Sequence, residues 1–148
     1  MTQLTDHFSL EEMTRSDYAE RHGIDNKPNL EIIANLTEMA MVMERVRMAV
    51  GAPISVTSGY RCGKLNTAIG GSKTSAHVRG HACDFVAFGQ TARETALKIA
   101  PLVKELGIDQ LIFEFGRWVH IGLAEYPRHQ VLTAKFEGSH VSYMQGVM

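Results

Sequence analysis

The feature that most constrains this chain is the run Ala82-Cys83-Asp84-Phe85-Val86-Ala87-Phe88, which is apolar apart from one carboxylate. An apolar run of this length predicts a strand buried on both faces. A buried carboxylate is costly unless it meets a cation, a metal or several hydrogen-bond donors. A salt bridge to an arginine is the simplest such partner, and a metal is the other. At 148 residues, the chain is long enough to cover that strand within one compact domain.

The remaining pattern predicts the cover. Ser9-Leu10-Glu11-Glu12 is a capping box that opens a short helix. Asn29 can cap a long helix whose apolar positions Ile32, Ile33, Leu36, Met39, Ala40, Met43 and Val46 follow helical spacing and which Gly51 can end. Ile54 to Ser58 alternates as a strand, and a short helix from Leu65 to Ile69 should stop at Gly70-Gly71. Thr91-Ala92-Arg93-Glu94 opens a helix toward Leu106 that Pro101 must kink or divide. Gln110–Phe115 and Trp118–Leu123 form a hairpin around Gly116, and Gln130–Phe136 a further strand. The expectation is an α+β fold, a small and mostly antiparallel sheet packed against helices, with residues 1–51 helical and 52–136 forming the core.

Candidate metal ligands crowd the segment 75–85, SAHVRGHACDF, as His77, His81, Cys83 and Asp84. Cys83 adjoins Asp84 in a strand and must point to the opposite face, so the two cannot share one mononuclear site. His77 and His81 have the i, i+4 spacing of a helical zinc pair, but Gly80 interrupts that turn, leaving His81 as a rim residue or a substrate contact. His77 can converge with Asp84 across the Gly80 turn. A third histidine, His120, lies inside the apolar strand Trp118-Val119-His120-Ile121, where it is either hydrogen-bonded core or a ligand.

Two histidines and a carboxylate would leave a fourth tetrahedral position for water, the arrangement of catalytic zinc, and hydrolysis is its natural chemistry. Glu114 is the only acid in the hairpin that carries His120, so it is either the general base or a solvated strand residue. A three-residue loop, Phe115-Gly116-Arg117, would set Glu114 opposite Trp118 and on the same face as His120; a two-residue loop would separate them.

These residues resemble those of the zinc D-Ala-D-Ala carboxypeptidases and related phage endolysin peptidases, which share a fold with the hedgehog signalling domain. The family pattern S-x-H-x-x-G-x-A-x-D is met by Ser75, His77, Gly80, Ala82 and Asp84. Ser58-Gly59-Tyr60-Arg61, then Leu65-Asn66, match its upstream motif, and Trp118-Val119-His120-Ile121 matches the strand with the last ligand. The resemblance implies Zn²⁺ on His77, Asp84 and His120. It also implies Arg61 against a substrate carboxylate or carbonyl, with Ser75, Trp118 and His81 beside the substrate. Several carboxypeptidases of the group place the catalytic acid two or three residues before the last histidine, where this chain has Trp118 and Arg117. The hedgehog-like spacing, six residues before, is met by Glu114. The implied substrate is the stem peptide of peptidoglycan.

Fifteen Lys and Arg against sixteen Asp and Glu leave no basic field for nucleic acid. The start MTQLTDHFSLEEM carries no signal-peptide pattern and no stretch suits a membrane span. The expectation is a monomer, made in the cytoplasm without stable membrane association, that acts on the bacterial cell wall either as a D-Ala-D-Ala carboxypeptidase or as a phage-type lysin. Cys62 and Cys83 are expected as free thiols. Two other readings use the same residues: a non-catalytic zinc-containing module that binds cell wall or protein, and an iron(II) oxygenase with a two-histidine, one-carboxylate triad, although the H-x-D spacing is missing.

Overall fold

The computed structural model describes residues 2–148. Helices α1 (Leu10–Thr14), α2 (Asp17–Arg21) and α3 (Leu30–Val50) precede strand β1 (Ile54–Ser58) and helix α4 (Gly63–Ala68). A 3₁₀ turn over Ala76–Arg79 leads into β2 (Ala82–Ala87), followed by α5 (Ala92–Ile99), β3 (Gln110–Glu114), β4 (Trp118–Gly122), β5 (Gln130–Glu137) and β6 (His140–Gln145).

Local signals explain most of these elements. Ser9 Oγ accepts from the Glu12 N–H, Asn29 Oδ1 from Ile32 and Thr91 Oγ1 from Glu94, so each predicted N-cap satisfies an otherwise orphaned backbone donor. Gly51 ends α3 in the left-handed region at φ 73. Pro101 divides the helix after Thr91: α5 stops at Ile99 and a 3₁₀ turn carries Ala100–Leu102. Helix α4 begins at Gly63, two residues before the expected start, because Cys62 caps it with its sulfur accepting from Leu65.

The sheet order is β1-β2-β4-β3-β5-β6. Alternation along the strands sends Cys83, Phe85 and Ala87 of β2, Leu111 and Phe113 of β3, and Val119 and Ile121 of β4 to one face. There they pack with Met39, Met43 and Val46 of α3 and Ala96 and Ile99 of α5. Burying a side chain of the Val, Leu, Ile, Phe or Met size is favourable by roughly 1.5–3 kcal/mol. This helix-covered face therefore supplies most of the stability, and the other face is left to carry polar groups.

The expected mostly antiparallel sheet is corrected to a mixed one, because β3 and β5 pair in parallel. The physical reason is occupancy. One edge of β4 is taken by β2 and the other by β3, so the chain leaving β4 must pass β3 before it can pair again. It does so through residues 123–129 and enters β5 beside the start of β3, with Gln110 opposite Gln130. Strand β6 then pairs with β5 beyond the expected 52–136 core, and α2 adds a short helix between the two predicted N-terminal helices.

Candidate active site

Asp84 sits in the middle of β2, opposite His120 of β4 on the face away from the helices. His77 reaches the same point from the 3₁₀ turn, which ends at Gly80 in the left-handed region (φ 74). The His77 Nε2–Asp84 Oδ1 separation is 3.3 Å and the His120 Nδ1–Asp84 Oδ1 separation is 2.7 Å. One ligand atom from each residue falls within 4.8 Å of the others. Asp84 has met two imidazoles rather than an arginine, so a convergent donor set has formed where the apolar run demanded a partner.

The donors fit zinc. Two ligands on one tetrahedral zinc at ~2.0–2.1 Å lie roughly 3.3 Å apart, which matches His77 to Asp84. His77 is 2% exposed, and its Nδ1 bonds the Gly59 carbonyl oxygen at 2.6 Å. That bond makes Nδ1 the donor and leaves the Nε2 lone pair facing Asp84, the outer-shell arrangement that orients a ligating histidine. Burial lowers the His77 pKa and so favours the neutral, ligating form. Burial would raise the Asp84 pKa, but the charges and hydrogen bonds of His77 and His120 outweigh it and hold Asp84 well below the ordinary range, as a carboxylate. His120 is pulled the other way: burial disfavours its charge, yet Asp84 and Glu114 together raise its pKa. The cluster thus favours a positive charge at its centre.

Glu114 stands beside this cluster because of the hairpin register. Glu114 pairs with Trp118 across the three-residue loop, as the side-chain alternation required. The turn is closed by Arg117 N–H donating to the Glu114 carbonyl, with Phe115 at φ 56 and Gly116 at φ 70. Glu114 Oε1 lies 3.8 Å from His120 Nδ1 and accepts from Trp118 Nε1 at 3.0 Å. Burial raises the Glu114 pKa, moving it in the direction a general base needs. The indole N–H opposes that shift and fixes where the carboxylate points.

Arg61 approaches from the β1 edge. Its backbone N–H donates to the His77 carbonyl at 3.1 Å, tying the loop after β1 to the 3₁₀ turn. Its guanidinium makes one long contact, Nη2 to Ser75 Oγ at 3.4 Å, and its Nε is buried with no hydrogen-bond partner among the described residues. Burial lowers its pKa while Asp84 and Glu114 raise it. Ser75 Oγ also accepts from the His77 N–H, so it braces the ligand turn as well as the arginine.

Two residues that hold this loop carried no chemical signal in the sequence. A Cβ on Gly59 would lie 2.1 Å from the Met13 carbonyl oxygen, so the loop passes α1 only because the position is glycine. Asn26 bridges three segments, its Nδ2 donating to the carbonyls of Thr14 and Tyr60 and its Oδ1 accepting from the Cys62 N–H. It lies in Asp25-Asn26-Lys27-Pro28, outside the matched motifs, where nothing local marks it as a bridge.

These groups line one cleft of about 810 Å³. Arg61, Ser75, His77, Asp84, Glu114, Trp118 and His120 all face it, and His81 does not. The His81 backbone instead clamps the turn, its N–H donating to Ala76 and its carbonyl accepting from Leu123. Cys83 lies in the core on the opposite face, and both cysteines are free, with Cys62 half-buried. Among the described residues, no helix is long and apolar enough to cross a membrane.

A mixed sheet with two imidazoles and a carboxylate converging on its open face, and a second acid alongside, has the architecture of a single-metal centre built for hydrolysis. The family model described as Peptidase M15 matches residues 6–122, and the chain belongs to that peptidase family, whose members are zinc-dependent. No curated protein matches the chain.

Proposed function

We propose that the protein is a zinc peptidase that hydrolyses peptide bonds in the stem peptides of peptidoglycan, with Glu114 as general base. The observation that carries this reading is the placement of Glu114 Oε1 3.8 Å from His120 Nδ1, on the same open face as the three-donor cluster. Zn²⁺ held by His77, Asp84 and His120 would polarise the scissile carbonyl and acidify the attacking water.

The chain's own groups supply the rest. Glu114 takes the proton from the water, a transfer that its raised pKa favours, and passes it to the departing amine. Trp118 keeps Oε1 aimed at the cleft through its indole N–H. Arg61, with donors to spare and a fork geometry, binds a substrate carboxylate or carbonyl, and Ser75 holds it in place. An arginine so placed suits a terminal carboxylate as in D-Ala-D-Ala cleavage, and equally the carbonyl of a cross-link as in a phage-type lysin. The site of action is then the bacterial cell wall.

Glu114→Gln tests the assignment. Purified muropeptides incubated with the zinc-loaded variant should be cleaved about 10²–10⁴-fold more slowly than with wild type, at unchanged zinc content. Wild-type rates in the variant would remove Glu114 from the mechanism, and a wild type that binds stem peptide without cleaving it would favour a binding module.

A further inference from the structure

The open face of the sheet continues past Glu114. Residues opposite one another across paired strands share a face. One row runs Asp84, His120, Ile112, Leu132, and the next runs Trp118, Glu114, Ala134, Tyr143, with Phe136 paired to Val141 beyond them. The β5–β6 hairpin therefore extends the same face that carries the metal ligands. It does so from outside the family-matched residues 6–122.

What it adds is aromatic. Phe136 and Tyr143 line the cleft, yet they are 67% and 57% exposed. Phe115 occupies the left-handed region, a conformation that a bulky side chain adopts only when its surroundings hold it there. Its backbone N–H donates to Ala134 of β5, its ring stacks on Phe136 at 4.4 Å and 17°, and it meets Trp118 edge-on at 5.7 Å. The wall is thus built onto the residue that holds Glu114. At ~4.8 Å per strand step, β5 lies roughly 10 Å and β6 roughly 14 Å from His120, or about three to four residues of extended peptide.

We infer that Phe136 and Tyr143 form a sugar-stacking subsite that receives the glycan end of a glycan-linked peptide while its scissile bond lies at the zinc ligands. The inference rests on the peptidoglycan reading above, in which the substrate is a short stem joined at one end to an N-acetylmuramyl sugar. An aliphatic side chain is recognised by an enclosed apolar pocket. Here Phe115 covers one face of Phe136, and the outer side of the wall stays open to solvent with a phenol beside it. A pyranose, with a flat face of C–H groups and hydroxyls around its rim, matches such a surface.

The test is calorimetric titration of the full-length, zinc-loaded protein, in a Glu114→Gln background that suppresses turnover, with a disaccharide-linked stem peptide and with the same peptide lacking the sugars. With the wall intact the sugar-bearing ligand should bind about tenfold more tightly. Phe136→Leu and, separately, Tyr143→Leu should bring that ratio toward one, with near-ultraviolet circular dichroism confirming the fold of each. Equal affinities with the wall intact, binding of neither ligand, or a ratio that survives Phe136→Leu would overturn the inference. Its fate is separable from that of the peptidase reading. A sugar preference in a wild type that cleaves nothing keeps the subsite and removes the peptidase, whereas cleavage without sugar preference does the reverse.

Discussion

Gly59→Ala should damage both the fold and the metal centre, although the residue carries no side chain and touches no substrate. The added Cβ would lie 2.1 Å from the Met13 carbonyl oxygen and 2.9 Å from its carbonyl carbon. Comfortable non-bonded separations between heavy atoms are about 3.5–4.0 Å, so the loop must retreat from α1 by more than about 1 Å. Both partners are backbone, so no rotamer change can relieve the clash. Overpacking of this kind costs about 1–3 kcal/mol. The retreat also breaks the 2.8 Å hydrogen bond from Tyr60 N–H to the Met13 carbonyl, which adds about 1 kcal/mol. The same movement drags the Gly59 carbonyl away from His77 Nδ1, and loss of such an outer-shell partner typically weakens metal affinity 10–100-fold. Urea unfolding of metal-stripped protein should therefore show a loss of about 2–4 kcal/mol, and competition against a chelator should show the weaker zinc affinity. A variant within 0.5 kcal/mol of wild type that holds zinc equally well would refute the claim that this backbone contact positions His77.

Two further outcomes follow from named contacts. Trp118→Phe keeps the ring but deletes the donor to Glu114 Oε1; because that N–H favours the carboxylate, the Glu114 pKa should rise and the acid limb of kcat/KM move to higher pH. An unmoved limb would show that the indole does not control Glu114. Arg128→Ala removes the two-pronged pair in which Nε and Nη2 donate to Asp109 at 2.9 and 2.7 Å and which, with its backbone N–H, holds the Asp109 pKa below its ordinary value. A depressed carboxylate pKa contributes stability above the unfolded value, ~3.9, and loses it as pH falls through the folded value. The gap in unfolding free energy between wild type and variant should thus be widest at neutral pH and narrow below about pH 4, and a pH-independent gap would contradict it.

The convergence of His77, Asp84 and His120 was legible because each of its parts leaves a local mark. Asp84 and His120 are polar residues stranded in apolar strands, Gly80 announces the turn that returns His77, and the period of two in a strand expels Cys83 and selects the hairpin loop that brings Glu114 alongside. The caps at Ser9, Asn29 and Thr91 are equally local. What was not legible depends on partners far away in the chain. The parallel β3–β5 pairing follows from which edges are free once β2 and β4 have met. Strand β6 buries no residue and so shows no apolar strip, which hid both the strand and the place of Tyr143 in the cleft. His81 has the right chemistry but the wrong side of the turn, and Asn26 and Gly59 act through backbone groups that composition does not reveal.

The central claim is that zinc on His77, Asp84 and His120 cleaves peptide bonds in peptidoglycan. Its most direct test is mass spectrometry of muropeptides after digestion with zinc-loaded protein and, in parallel, with chelator-stripped protein. The account predicts products in the zinc-loaded digest alone, either loss of a terminal alanine or conversion of cross-linked dimers to monomers. Identical muropeptide profiles in the two digests would contradict it.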